Sequence, residues 1–156
     1  MNTIVKLTNR SNAIFKAIPV SIVLLLVRVA IFYSTAFYAS GKLKWDGLFE
    51  LSRSAKFLFG SEFKLNILGA VYDMPFPNTM AFLAGIGEIV LPLAILIGFA
   101  SRFAALGLIL MTIIIQLVFP DAWRLHFGWS IYFLIILAMG PGKISVDHLL
   151  ARFFKK

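Results

Sequence analysis

The sequence predicts an all-α membrane protein: one domain over residues 1–156, built as a bundle of four transmembrane helices. The composition is the first observation, since 60% of the 156 residues are hydrophobic and only 14% are charged. Soluble domains carry about a quarter charged residues, so the solvent for most of this chain is lipid. The second observation is four long apolar stretches. The third is a bias of basic residues toward the side that carries both termini.

The four apolar stretches are each close to the length that crosses a bilayer, which is about 20 residues. They cover residues 19–39, 79–99, 103–119 and 125–139. The turns between the last three are short, so these helices are predicted to be antiparallel neighbours. The first stretch has a basic flank like that of a signal peptide, but its apolar run is longer than usual and contains Arg28. These two features favour a retained span over a cleaved one.

Basic residues predict the orientation. One side would carry eight of them, namely Lys6, Arg10, Lys16, Arg102, Lys143, Arg152, Lys155 and Lys156. The other side would carry six, namely Lys42, Lys44, Arg53, Lys56, Lys64 and Arg124. Because cytoplasmic loops carry an excess of Lys and Arg, both termini are predicted to be cytoplasmic. Basic ends beside anionic lipid also explain the pI of about 10.1 without a nucleic-acid partner.

Two segments outside the spans are predicted to lie at the membrane surface. In the loop of residues 40–78, Leu48, Leu51, Ala55 and Leu58 recur at helical spacing, which predicts an amphipathic helix. A second interfacial helix is predicted over residues 145–154, after the Gly140-Pro141-Gly142 turn.

Two charged residues fall inside predicted spans. Arg28 and Glu88 each lie about nine residues from a span end, or roughly 14 Å deep. An isolated Arg at the centre of a spanning helix costs about 2.5–3.5 kcal/mol, so the two are predicted to form a pair on antiparallel helices. The pair has two interpretations that are compatible with each other. It is a structural lock that fixes helix register, or it lines a polar pocket for a ligand or a proton path.

A set of polar and aromatic residues is predicted near the non-cytoplasmic surface: Gln116, His126, Trp129 and Tyr33. They form either the mouth of a binding site or an ordinary interfacial aromatic belt. No metal site is predicted, because the two histidines, His126 and His148, are expected on opposite sides of the membrane.

Several chemistries are excluded by the sequence. It contains no Cys, so thiol nucleophiles, disulfides and Cys-ligated metal centres are ruled out. It also has no phosphate-binding Gly-rich loop, no HExxH and no GxSxG motif. Any redox role therefore needs a bound cofactor or a partner protein.

The ordered motifs resemble the DoxX family over about residues 20–150. The resemblance is carried by Arg28, Gly41-Lys42-Leu43, Glu88, the turn Gly98-Phe99-Ala100-Ser101-Arg102-Phe103-Ala104-Ala105, the segment Ile115–Trp123 with His126 and Trp129, and the closing run Gly140–Asp147. It implies a four-helix bundle in the bacterial inner membrane, with Arg28 and Glu88 as intramembrane charges. It also implies a structural closing motif of Gly140, Pro141, Gly142, Ser145 and Asp147.

The resemblance leaves two functions open, because DoxX family members are linked to quinone-dependent oxidation and to complexes that handle redox or metal proteins. The first is a quinone-interacting accessory subunit, whose electrons come from a partner protein on the non-cytoplasmic face. Arg28 and Gln116 would donate to the quinone carbonyls, Tyr33 and Trp129 would flank the ring near His126, and Glu88 would relay a proton. The second is a non-catalytic scaffold or maturation factor that presents Phe57, Phe59 and Phe63 of the 40–78 loop. Self-association is compatible with either.

Overall fold

The computed structural model describes residues 5–8, 12, 15–16 and 18–154. Arg10, Lys155 and Lys156, which contribute to the predicted charge bias, lie outside the described residues. The described chain is mostly helical, as predicted, with two small antiparallel hairpins in the loop after the first predicted span.

The first predicted span is two helices, α1 (Val20–Ser34) and α2 (Phe37–Lys42), separated by a break. At the break, Ala36 has a left-handed φ of 58°. The Thr35 hydroxyl donates to the Ile31 carbonyl at 2.6 Å, and Ser34 makes the same type of bond to Ala30. Side-chain bonds of this type compete with the helical ladder, which explains why a continuous apolar run ends its helix here.

Three long helices follow: α4 (Pro77–Ile97), α5 (Ser101–Val118) and α6 (Trp123–Met139). In the described part of the chain, three helical stretches are long and apolar enough to cross a membrane: Pro77–Ile97, Ser101–Val118 and Pro120–Met139. The last of these includes a 3₁₀ turn before α6. Helix α1 is also apolar but shorter. Each end of α4, α5 and α6 lies within two residues of the corresponding predicted span end.

The core lies between α1, α2, α4, α5 and α6. It includes the fully buried side chains Ile31, Ile95, Leu108, Phe133 and Ile136. A smaller apolar cluster joins the loop to α4 through Phe59, Met74 and Ala81. The loop is therefore packed onto the bundle.

The loop between α2 and α4 contradicts the predicted amphipathic surface helix. Its elements are β1 (Trp45–Gly47), β2 (Glu50–Leu51), α3 (Arg53–Phe57), a π-helical turn (Leu58–Glu62), β3 (Lys64–Ile67) and β4 (Ala70–Asp73). Strands β1 and β2 form one hairpin, and β3 and β4 form the other.

Turn geometry explains why the helical spacing in this loop is misleading. Phe49 between β1 and β2 has a φ of 60°, and Leu68 and Gly69 between β3 and β4 have φ values of 50° and 85°. The second turn has positive φ at both central residues, as is typical of a two-residue hairpin, and the first has it at Phe49. Each turn reverses the chain. The apolar spacing of Leu48 and Leu51 therefore spans a hairpin and does not lie on one helix.

The last helix, α7 (Val146–Phe153), confirms the predicted C-terminal helix with bounds shorter by one residue at each end. Its N-cap is Ser145, whose Oγ accepts from the His148 backbone N–H at 3.2 Å. Leu149, Leu150 and Phe153 are exposed on it.

Candidate functional site

The candidate site is a pocket of about 660 Å³ at the end of the bundle where the loop packs onto the helices. Its walls come from the α1–α2 break, the loop, α4, α5 and α6. A volume in this range is typical of small-molecule sites, which are mostly apolar with a few polar groups. Irregular backbone at membrane depth is tolerated where it lines a cavity, and the break at Thr35 and Ala36 does so.

One wall of the pocket carries an ion pair between Glu88 of α4 and Lys44. Lys44 Nζ lies 2.6 Å from Glu88 Oε2 and also donates to Ser40 Oγ at 3.0 Å. The two charged side chains are only 8% (Glu88) and 12% (Lys44) exposed. Burial of the two charges costs desolvation free energy, and their mutual attraction offsets part of that cost. The pair therefore allows charged side chains in the wall of a largely apolar pocket.

Lys44 reaches Glu88 because α2 runs closely along α4. Gly41 makes this approach possible, since a Cβ at that position would lie 2.9 Å from Glu88 Cβ and 2.8 Å from Ile89 Cγ1. Gly85, one turn before Glu88, leaves room for the ring of Trp45 in the same way. Small residues at these two contacts allow the backbones to pack tightly.

A second polar group belongs to α5 and α6. His126 Nδ1 lies 2.7 Å from Gln116 Oε1, and Gln116 Nε2 donates to the Pro120 carbonyl at 2.9 Å. The His126 ring packs against Trp129, with ring centroids 5.3 Å apart. His126 and Trp129 line the pocket, while Gln116 orients His126 from behind.

The rest of the pocket surface is apolar. The loop supplies Phe59, Phe63 and Met74, and the helices supply Met80, Leu83, Ala84, Met111, Ile114, Ile115 and Val118. Phe59 and Met74 are buried there. The prediction that Phe59 and Phe63 are presented to a partner is therefore wrong, because both pack over the pocket. Of the three phenylalanines predicted to be presented, Phe57 is the one that is largely exposed.

Arg28 does not pair with Glu88, and that prediction is wrong. Its guanidinium donates to four backbone carbonyls: Ile95 at 2.8 Å, Leu96 at 2.5 Å, Pro141 at 3.1 Å and Ile144 at 2.5 Å. The side chain of a helical residue leans toward the N-terminus of its helix, so the Arg28 guanidinium lies nearer the start of α1 than its Cα does. It consequently meets the end of α4 and lies away from the pocket.

Tyr33 also lies outside the pocket lining, since its side chain is 76% exposed and stacks edge-on against Phe32. Of the predicted site residues, the structure thus brings together Glu88, His126 and Trp129 around one cavity, with Gln116 behind them. It places Arg28 and Tyr33 elsewhere.

The closing segment holds the other end of the bundle. Asp147 accepts from the backbone N–H groups of Ala100 and Ser101 at 2.7 and 3.0 Å, and from Ser101 Oγ at 2.9 Å. It therefore caps the start of α5, while its own N–H donates to the Gly98 carbonyl at 2.8 Å. Gly140 and Gly142 have positive φ values of 76° and 84° in the turn before α7.

Sequence reasoning missed the role of Lys44 and the helix break at Thr35. Lys44 counts as one of several loop cations, and the break lies in an apolar run. One usable signal is Gly41, which permits the segment before Lys44 to approach Glu88 closely. A carboxylate within an apolar span, such as that of Glu88, requires a cation nearby. The other is the Ser34-Thr35 pair, two hydroxyl residues in a row that are able to end a helix.

The DoxX family model matches residues 23–121, which cover α1 from residue 23, α2, the loop, α4 and α5. The chain belongs to the DoxX family and is a membrane protein of that family. No curated protein and no solved structure matched the chain significantly.

Proposed function

We propose that this DoxX family protein is a quinone-binding accessory subunit of a membrane redox system. The observation that supports the proposal is the 660 Å³ pocket, whose apolar walls carry polar groups at two places. A quinone has an apolar tail and a flat ring with two carbonyl acceptors, so it needs a cavity that combines apolar surface with a small number of donors.

The polar groups of the pocket fit such a ring. Lys44 offers an ammonium group beside Ser40. His126 Nδ1 donates to Gln116 Oε1, because an amide oxygen only accepts, so Nε2 of the neutral ring is an acceptor. Trp129 supplies an aromatic face next to His126. We assign carbonyl binding to Lys44, in place of Arg28, and ring contact to Trp129, in place of Tyr33. His126 Nε2 would accept a hydrogen bond from a quinol hydroxyl.

Glu88 is the residue that would transfer protons to or from the quinone. A quinone held in this pocket would supply redox chemistry of two electrons and two protons. Glu88 holds its carboxylate at the pocket wall next to Lys44, where it accepts or gives a proton at Oε2. The chain has no Cys, so the electrons come from a redox protein on the non-cytoplasmic face.

We also propose that the chain crosses the inner membrane of a bacterium four times. Helices α1 and α2 together give the first crossing, since 15 and 6 residues at 1.5 Å each correspond to roughly 31 Å of helix. That length agrees with a hydrocarbon core of about 30 Å. Lys6, Lys16, Arg102 and Lys143 then lie on the side of both termini, which favours cytoplasmic termini.

The scaffold function is the second candidate, and the hairpin tips favour it. Leu48 and Phe49 at the first tip and Leu68 at the second are 91%, 66% and 103% exposed. Apolar residues at such exposed tips are typical of contact surfaces. Under this proposal the tips hold a redox or maturation partner, and the Lys44–Glu88 pair is purely structural.

The test is extraction of bound quinone from protein purified in mild detergent from native membranes, quantified by mass spectrometry. Ala84→Phe would fill the pocket with a ring. Val90→Phe adds the same ring to an exposed position on α4 that does not line the pocket, so it is the matched control.

We expect about one quinone per chain in the wild type and in Val90→Phe, and loss of quinone in Ala84→Phe. A wild type without quinone, or a folded Ala84→Phe protein that keeps it, would refute quinone binding in this pocket. Proteomics on the same samples tests the scaffold. A partner lost in Leu48→Ser/Leu68→Ser but kept in Ala84→Phe favours the second candidate.

A further inference from the structure

A second cleft lies at the other end of the bundle, where α1 and α5 begin and α6 ends. It has a volume of about 620 Å³. Its walls include Ser21 of α1, the 140–143 turn and the beginning of α7. None of the residues that line it belongs to the pocket with Glu88, so it is a separate candidate site.

The charge of this cleft is positive. Two cationic side chains, Arg102 and Lys143, line it, against one acid, Asp147. The carboxylate of Asp147 is already engaged by the N–H groups of Ala100 and Ser101. It therefore serves the start of α5 and does not pair with the cleft cations.

The cations keep hydrogen-bonding capacity. Arg102 Nη2 donates to the Ala138 carbonyl at 3.2 Å, which is the one side-chain hydrogen bond of Arg102 in the described part of the chain. The guanidinium has five N–H donors, so most of them are available to an anion. Lys143 is exposed, and its backbone N–H, not its ammonium, is used by Ser21 Oγ at 3.2 Å.

The rim of the cleft is apolar. Val20, Phe103 and Met139 line it and are 55%, 81% and 56% exposed. Helix α7 extends this surface with Leu149 and Phe153. A cationic cleft with an apolar rim matches a ligand that has an anionic head and apolar chains.

We propose that this cleft binds the headgroup phosphate of an anionic phospholipid. Arg102 and Lys143 contact the phosphate, and the acyl chains lie along Val20, Phe103 and Met139. Arg102 suits a phosphate because its planar fork matches two oxygens at once. The proposal is independent of quinone binding, because it uses a different cavity and different residues.

The experiment is native mass spectrometry of the full-length protein, titrated in detergent with phosphatidylglycerol or phosphatidylcholine. A basic residue near an anionic lipid contributes about 1 kcal/mol, equivalent to about fivefold in affinity. We expect phosphatidylglycerol to bind more tightly than phosphatidylcholine. Lys143→Gln should weaken it about fivefold, and Arg102→Gln/Lys143→Gln roughly 25-fold.

Lys42→Gln/Arg124→Gln is the matched control, since it removes the same charge from the opposite end of the bundle and should leave binding unchanged. Arg102 also joins α5 to α6, so Lys143→Gln keeps the test valid if the double variant fails to fold. Folded Lys143→Gln with unchanged affinity overturns the proposal. So does equal binding of the two lipids, and displacement of phosphatidylglycerol by millimolar inorganic phosphate would identify a free-phosphate site instead.

Discussion

Glu88 is paired with Lys44, whose Nζ lies 2.6 Å from Glu88 Oε2, whereas the guanidinium of Arg28 donates to four backbone carbonyls. The two charged residues of the predicted spans therefore serve different ends of the bundle. Glu88 belongs to the pocket wall, and Arg28 fastens the end of α4 to the closing turn. Substitutions at Glu88 and at Arg28 should therefore affect different contacts.

Breaking the Lys44–Glu88 pair should be costly on either side. Lys44→Met and Glu88→Leu each leave one buried partner unmatched, so each should lower the free energy of unfolding by about 3 kcal/mol. The double variant Lys44→Met/Glu88→Leu should lose less than the sum, because no unpaired charge remains. Denaturant unfolding in detergent measures all three.

The Lys64–Asp73 pair is the control for this cycle. It has the same 2.6 Å separation but joins exposed side chains of β3 and β4. Since solvent screens exposed pairs, Asp73→Asn should leave the unfolding midpoint unchanged. Additive losses at Lys44 and Glu88 would contradict the pairing.

Arg28→Lys should destabilise the protein nearly as much as Arg28→Gln. Four carbonyls receive bonds from three nitrogens of one planar group, and a lysine ammonium cannot reproduce that fork. Buried carbonyls left without donors cost about 1–3 kcal/mol each, so a total of roughly 3 kcal/mol is expected after relaxation. Thermal unfolding measures the loss, with the exposed Arg53→Gln as control. An Arg28→Lys protein of wild-type stability would contradict the clamp.

Gly98→Ala should destabilise the bundle, and Gly128→Ala should not. Gly98 has a φ of 74°, and an added Cβ would lie 2.5 Å from Ser145 Cβ and 3.1 Å from Arg28 Cζ. Strain at a position of this kind costs of order 1–3 kcal/mol before the clash is counted. Gly128 lies within α6 with no atom inside 4 Å of an added Cβ, so alanine there should stabilise by roughly 0.5–1 kcal/mol. Equal effects of the two substitutions on the unfolding midpoint would argue against the packing at Gly98.

Asp147→Ala should weaken the start of α5. The carboxylate accepts three hydrogen bonds at the first turn of that helix, and loss of an N-terminal cap costs about 0.5–2 kcal/mol. Asp147→Asn keeps one acceptor oxygen and should lose less. Hydrogen exchange of the first turn of α5 reports the effect locally, with the exposed Asp121→Asn as control. Unchanged protection in Asp147→Ala would rule out the capping role.

Length and hydropathy alone predicted the three long helices, because a spanning helix satisfies its own backbone and only needs an apolar run of the right length. Gly140 likewise marked a helix end correctly, since its positive φ does not continue a helix. The segment with Leu48 and Leu51 was mispredicted as a helix because its apolar spacing fits the helical period. The positive φ of Phe49 places these residues in a hairpin.

The sequence by itself determined which charged residues fall within apolar stretches and where the three long helices lie. Tertiary structure decided their partners, because a long side chain such as Arg28 reaches a different depth from its Cα. It also decided the break at Thr35 and Ala36, which brings Lys44 to Glu88 and opens the pocket wall. Contacts between residues 44 and 88 depend on how α2 packs on α4, and no local pattern encodes that geometry.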